Sequence, residues 1–166
     1  TEADTAFQMI HRFLNKELKE KYAGQWQDSI LKIGNRELKF RYKKFGEKPA
    51  KGWSLYISMH GGGGTTKEMN DQQWRNQIGL YQPKEGIYMA PRAPTDSWNM
   101  WHQSHVDSLF SLFIELANVF EDINTNRVYL TGYSADFHLQ LGVLLFHHIH
   151  HVGFRCFQPS GISSLQ

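Results

Sequence analysis

Two apolar, β-forming runs in this chain each end in a glycine-containing turn, and this pairing constrains the fold more than any other feature. Trp53–Met59 leads into His60-Gly61-Gly62-Gly63-Gly64, and Arg127–Thr131 leads into Gly132-Tyr133-Ser134-Ala135. Short apolar runs bounded by glycine read as buried strands. Between them lie a helical segment over Lys67–Tyr81, a short strand over Ile87–Ala90 and a helix over Val106–Phe120. Strands alternating with helices imply a parallel sheet with helices on its faces, which binds ligands outside the carboxyl ends of its strands. Both glycine turns stand at such ends.

The helix over Val106–Phe120 has the clearest pattern, with Val106, Leu109, Phe110, Phe113, Leu116, Ala117 and Phe120 on one broad stripe. A turn at Asn124-Thr125-Asn126 separates it from the strand that follows. Upstream, Asp4–Tyr22 reads as an amphipathic helix through Phe7, Ile10, Leu14 and Leu18, with Gly24 as its stop. Ser29–Ile33 and Glu37–Phe45 read as a hairpin about Gly34-Asn35. The expected architecture is a single α/β domain over 1–166. It has a mostly parallel sheet with flanking helices, an N-terminal helix (1–24) plus β-hairpin, and an incomplete C-terminal part.

Composition narrows the function classes. At 40% apolar and 20% charged residues the chain has the makings of a globular core rather than of a disordered segment. No apolar run approaches the ~18 residues of a membrane span, and Cys156 stands alone, so no internal disulfide framework is expected. Residues 1–51 hold twelve Lys/Arg against seven Asp/Glu. Within them Lys39, Arg41 and Lys43 alternate with Leu38, Phe40 and Tyr42, which puts the cations on one face of a strand. That face is either an anion- or nucleic-acid-binding patch or a solvated, lysine-guarded edge strand. No aromatic interleaves with the cations, which favours the guarded edge, and no nucleic-acid partner is expected.

After Ala135 the chain changes character. Residues 137–166 contain no Asp or Glu, one basic residue (Arg155), five of the nine histidines and the one cysteine. Such a break inside one domain points to an atypical tail over 136–166, of the kind a frameshift, an alternative exon or a retained intron produces.

Ser134 is the candidate nucleophile. A serine hydroxyl needs a base and an open approach, and a sharp strand-to-helix turn with small neighbours provides the approach; the other reading is a serine capping a helix. Gly61, Gly62 and Gly63 are candidate donors to an oxyanion, because glycine lets backbone N–H groups turn inward without a Cβ in the way. The N–H of Ala135, the residue after the candidate nucleophile, is the expected second donor. A phosphate loop would require a Gly-Lys-Ser/Thr ending, and Gly64-Thr65-Thr66-Lys67 lacks it. His60 precedes the nucleophile and is expected to brace the loop rather than act as base. Trp98 and Trp101 either line a hydrophobic cleft or pack beneath a loop, and His102 and His105 follow closely. His147 and His151 stand one helical turn apart, as in a two-histidine zinc site, but no acid accompanies them. Cys156 is the one candidate third ligand, and an accidental histidine run is expected, with no metal and no cofactor.

LYISMHGGGG at 55–64, NDQQW at 70–74, GIYMAPRAPTDSWNMWHQ at 86–103 and RVYLTGYSA at 127–135 together resemble the α/β-hydrolases. The resemblance is to predicted esterases and to the polyhydroxyalkanoate-depolymerase-like and dienelactone-hydrolase-like proteins, and it covers roughly residues 10–135. It implies a serine hydrolase acting on small acyl esters, with Ser134 as nucleophile, Gly61–Gly63 as oxyanion loop and the Trp98–His102 loop near the substrate cleft. Where that family continues its elbow with two glycines, this chain has Asp136 and Phe137. The family's acid and histidine lie in a region that this sequence does not contain. His138, four residues after Ser134, is not expected to replace that histidine, because the elbow serine is not helical. The expectation is therefore a domain truncated after the elbow, either an ester hydrolase with incomplete machinery or a non-catalytic chain that binds acyl ligands. Loss of the later strands would expose a sheet edge open to self-association.

Overall fold

A computed structural model describes residues 2–132 of the chain. Eight elements follow one another: α1 (Glu2–Gln27), β1 (Ile30–Ile33), β2 (Arg36–Phe45), β3 (Trp53–Met59), α2 (Lys67–Gln77), β4 (Gly86–Pro91), α3 (Ser104–Glu121) and β5 (Ile123–Gly132). The strands form one sheet in the order β1-β2-β4-β3-β5. The expectation of a mostly parallel sheet is corrected to a mixed one. β4, β3 and β5 run parallel, whereas β1–β2 and β2–β4 pair antiparallel. A tight hairpin returns its second strand antiparallel, and β2 carries that direction into its pairing with β4.

Alternation along the strands assigns the faces. Phe40 and Tyr42 of β2 meet Trp26 of α1, and Phe40 meets Phe113 of α3. Arg41 points the other way and lies 4.9 Å over the ring of Trp74 in α2. On that second face Gln77 of α2 donates to Ser58 Oγ at 2.7 Å, and Tyr88 Oη donates to the Gln77 carbonyl at 2.6 Å. The sheet is thus layered between α1 with α3 and α2. The buried residues of α3 are Val106, Leu109, Phe110, Phe113, Leu116, Ala117 and Val119, with Phe120 packed at the margin. No helix among the described residues is long and apolar enough to cross a membrane.

Several boundaries move for physical reasons. α1 runs through Gly24 because Tyr22 and Trp26, one turn apart, both bury against the core. Trp26 stacks on Phe120 at 5.2 Å and donates to Glu121, and this packing outweighs the ~1 kcal/mol helix cost of glycine. The helix ends instead at Gln27, and Ser29, in the turn that follows, takes a left-handed φ of 57°. α2 stops at Gln77 rather than Tyr81: Gly79 and Leu80 close tighter turns onto the Asn76 and Gln77 carbonyls, and the Gln77 carbonyl also accepts Tyr88 Oη. The turn expected at Asn124–Asn126 is an irregularity within β5: Trp53 pairs with Ile123, but Leu55 pairs with Val128. Asn124 Oδ1 accepts the Asn126 N–H inside it. β2 is an internal strand, although its Phe40–Phe45 stretch extends beyond the four residues of β1.

Candidate functional site

The glycine loop starts where β3 ends. Gly62, Gly63 and Gly64 have φ of 106°, 88° and 62°, a run of conformations that L side chains rarely adopt. Two neighbours lie too close for a Cβ as well. One on Gly62 would stand 2.4 Å from Asn70 Oδ1, and one on Gly63 would stand 2.8 Å from the Ser97 carbonyl. The loop is therefore glycine-rich for shape on both sides, with α2 on one flank and the Ser97–Trp98 segment on the other.

His60 is a brace. Its Nε2 accepts the Ala93 N–H at 3.0 Å, which leaves the ring proton on Nδ1, donated to the Gly61 carbonyl at 2.7 Å. Its own carbonyl accepts Trp101 Nε1 at 3.0 Å. Burial lowers its pKa to about 4, so the ring is neutral at pH 7. With both nitrogens engaged by backbone, it has no lone pair to offer a nucleophile.

Asn70, Asp71, Arg92 and Asp96 hold the flank. Asn70 is fully buried; its Oδ1 accepts the Gly63 N–H at 2.8 Å and its Nδ2 donates to Asp96 Oδ1 at 2.9 Å. Arg92 donates through Nε to Asp71 at 2.8 Å, pairs with Asp96, and also reaches the Ala93 and Thr95 carbonyls. Gly64 N–H donates to the Asp96 carbonyl at 2.8 Å. Hydrogen bonds from Lys67 and then from Arg92 bring the Asp71 pKa down to about 2. Burial draws Asp96 upward, but hydrogen bonds from Arg92 and Asn70 hold it below its ordinary range. Sequence reasoning noted these residues only as parts of the segments 70–74 and 86–103. The available signal was the proximity of Asn70-Asp71 to a glycine run and of Arg92 to Asp96, but their convergence required the fold.

The consequence for the loop's donors is specific. The Gly63 and Gly64 amides are taken by Asn70 and Asp96, whereas among the described residues the Gly61 and Gly62 amides have no acceptor. The two tryptophans separate as well. Trp101 is buried beneath the loop, with its ring edge-on to His60 at 5.2 Å and against Phe110 at 6.0 Å. Trp98 is 77% exposed beside Gly63 and Gly64, on a segment fixed by the bonds of Ser97 to Thr95 and Gln103. His102 is half-buried, its N–H donated to the Asn99 carbonyl at 2.8 Å. His105 Nε2 is buried without a partner among the described residues, and burial lowers its pKa.

No group of three or more His, Cys, Asp or Glu among the described residues is placed to hold a metal ion. Ser134, Ala135, Asp136, His138, the histidines at 147–151 and Cys156 lie outside the described residues. Comparison with protein-family models, with curated proteins and with solved structures gives no match.

Proposed function

We propose that this chain is built on the plan of an α/β-hydrolase and that its site is organised for acyl transfer from an ester, with Ser134 as nucleophile. One observation carries the reading. In the parallel β3–β5 pair, Met59 is level with Gly132. The glycine loop thus begins beside the end of β5, from which the chain continues in sequence to Ser134. Gly61 and Ser134 are each two residues further along, at most ~7 Å of chain from those ends.

In this reading Ser134 Oγ attacks the ester carbonyl carbon and gives up its proton to a base, and the C=O electrons move onto oxygen. Gly61 and Gly62, whose amides have no acceptor among the described residues, serve with the Ala135 amide as donors to that oxyanion. Collapse expels the alkoxide, which leaves as the alcohol with the proton the base took up; water then attacks the acyl-enzyme, loses a proton through the same base to Ser134 Oγ and releases the acid. His60 is not the base, since both its ring nitrogens are engaged. Gly63 shapes the loop and Trp98 borders the cleft, with His102 on the same loop; Trp101 supports from below. A non-catalytic chain that binds acyl ligands is the competing reading, favoured by Asp136 and Phe137 at the positions where the resembled family has glycines.

An alkyl fluorophosphonate separates the two. Covalent labelling of the folded chain, abolished by Ser134→Ala and reduced by Gly62→Ala, is the expected result. No labelling of a folded chain that still binds a fluorescent acyl ligand overturns the catalytic reading in favour of the competing one.

A further inference from the structure

The first half of α1 carries an apolar face that stands exposed among the described residues. Met9, Ile10, Phe13 and Leu14 are 65%, 59%, 60% and 48% exposed, whereas Tyr22 and Trp26 of the same helix are buried and Leu18 packs at the margin of the core. These are two different faces. At 100° per residue the group Met9, Ile10, Phe13 and Leu14 is centred roughly 150° around the helix from the group Leu18, Tyr22 and Trp26. The exposed stripe is therefore not a frayed continuation of the packed one. It is an amphipathic surface in its own right, and exposed apolar patches of this kind mark interaction sites.

We propose that this face pairs antiparallel with the same face of a second copy of the chain, about a twofold axis near Met9. Residues at levels summing to 18 then lie opposite each other. Phe13 and Leu14 of one helix fall between Ala3 and Ala6 of the other, large against small, as close packing requires. Lys16 comes level with Glu2 on the same flank, so the acidic first turn of each helix meets the basic middle of its partner. Lys16 stands 3.9 Å from Glu20 in an exposed pair that is worth little and can yield. A parallel, in-register pair would set Phe13 against Phe13, Glu2 against Glu2 and Lys16 against Lys16. A lipid surface fits less well: α1 carries four Lys/Arg and four Asp/Glu, hence no net charge to draw it to anionic headgroups.

Sedimentation equilibrium and cysteine cross-linking of the full chain test this, the latter in a Cys156→Ser background. The chain is expected to dimerise with concentration, and Ile10→Asp with Phe13→Asp to weaken the dimer at least about tenfold. At concentrations where the parent chain is monomeric, circular dichroism and the thermal midpoint should not change, because both side chains are exposed in a single copy. Under mild oxidation Met9→Cys, on the axis, should form a covalent dimer much faster than Phe13→Cys. Equal cross-linking at the two positions overturns the antiparallel arrangement. A dimer indifferent to the two aspartates overturns the surface itself and points to the sheet edge. A monomer at all concentrations overturns the proposal too: binding to lipid vesicles would then assign the face to a membrane. A lower thermal midpoint with Ile10→Asp would assign it to contact with the chain's own residues 133–166.

Discussion

Asn70 Oδ1 accepts the Gly63 N–H at 2.8 Å, and through this contact the first turn of α2 fixes the shape of the glycine loop. Asn70 is fully buried and gives its Nδ2 proton to Asp96. Asn70→Ala leaves an amide and a carboxylate oxygen without these partners, and should destabilise the fold by about 2–3 kcal/mol. Asn70→Asp keeps an acceptor for Gly63 but turns a donor into a second carboxylate beside Asp96, and should cost at least as much at pH 7. Urea midpoints measured at pH 7 for the three proteins check both expectations.

Gly63 and Gly64 should respond differently to alanine. At Gly63, φ is 88° and a Cβ meets the Ser97 backbone oxygen at 2.8 Å, so Gly63→Ala must displace backbone and should cost about 2–4 kcal/mol. At Gly64, φ is 62° and the nearest atom is Trp98 Cβ at 3.4 Å, leaving mainly the left-handed penalty of about 1 kcal/mol. Thermal unfolding of the two variants should rank them in that order; the reverse ranking would mean that the Ser97 segment yields freely.

His60 makes stability depend on pH on the acid side of neutrality. Its pKa is about 4 in the folded protein against an ordinary value of 6.5, and burial is the main cause. The unfolded chain therefore binds more protons between these values, so stability rises with pH across that window and is lost as pH falls from about 6.5 to about 4. A full proton difference contributes about 1.4 kcal/mol per pH unit. His105, also lowered by burial, adds in the same sense. The depressed Asp71 contributes stability that is lost below the ordinary carboxylate range, down to about pH 2. His60→Gln should lower stability at pH 7 and flatten the slope between pH 6.5 and 4, as chemical denaturation at half-unit pH intervals would measure. An unchanged slope would remove His60 from the account.

Trp98 and Trp101 are three residues apart and should behave as opposites. Trp101→Phe removes the Nε1 bond to the His60 carbonyl and part of a buried ring, with an expected loss of about 1–3 kcal/mol. Trp98→Ala touches an exposed ring and should stay within about 0.5 kcal/mol. Fluorescence quenching by iodide gives a second check, since Trp98→Ala should remove most of the accessible emission and Trp101→Phe little.

Local pattern made much of this molecule legible. The apolar stripe of α3, the hairpin of β1 and β2, the alternation of Phe40 and Tyr42 with Arg41, and β3 running into glycines are all visible in the sequence. Side-chain periodicity reports burial wherever one face is wet and the other dry. Trp98 and Trp101 show where pattern stops, since two tryptophans in one loop read alike, and only the surrounding packing exposes one and buries the other.

The sequence by itself determined which segments are strands and helices and that a glycine loop closes β3, because those features arise from neighbours within a few residues. Only the tertiary structure decided that β2 joins β4 antiparallel, that α1 continues through Gly24 to seat Trp26, and that Gly63 gives its amide to Asn70 while Gly61 and Gly62 find no acceptor among the described residues. Each of these depends on which distant group arrives within hydrogen-bonding or packing distance, and the spacing of residues along the chain does not encode that encounter.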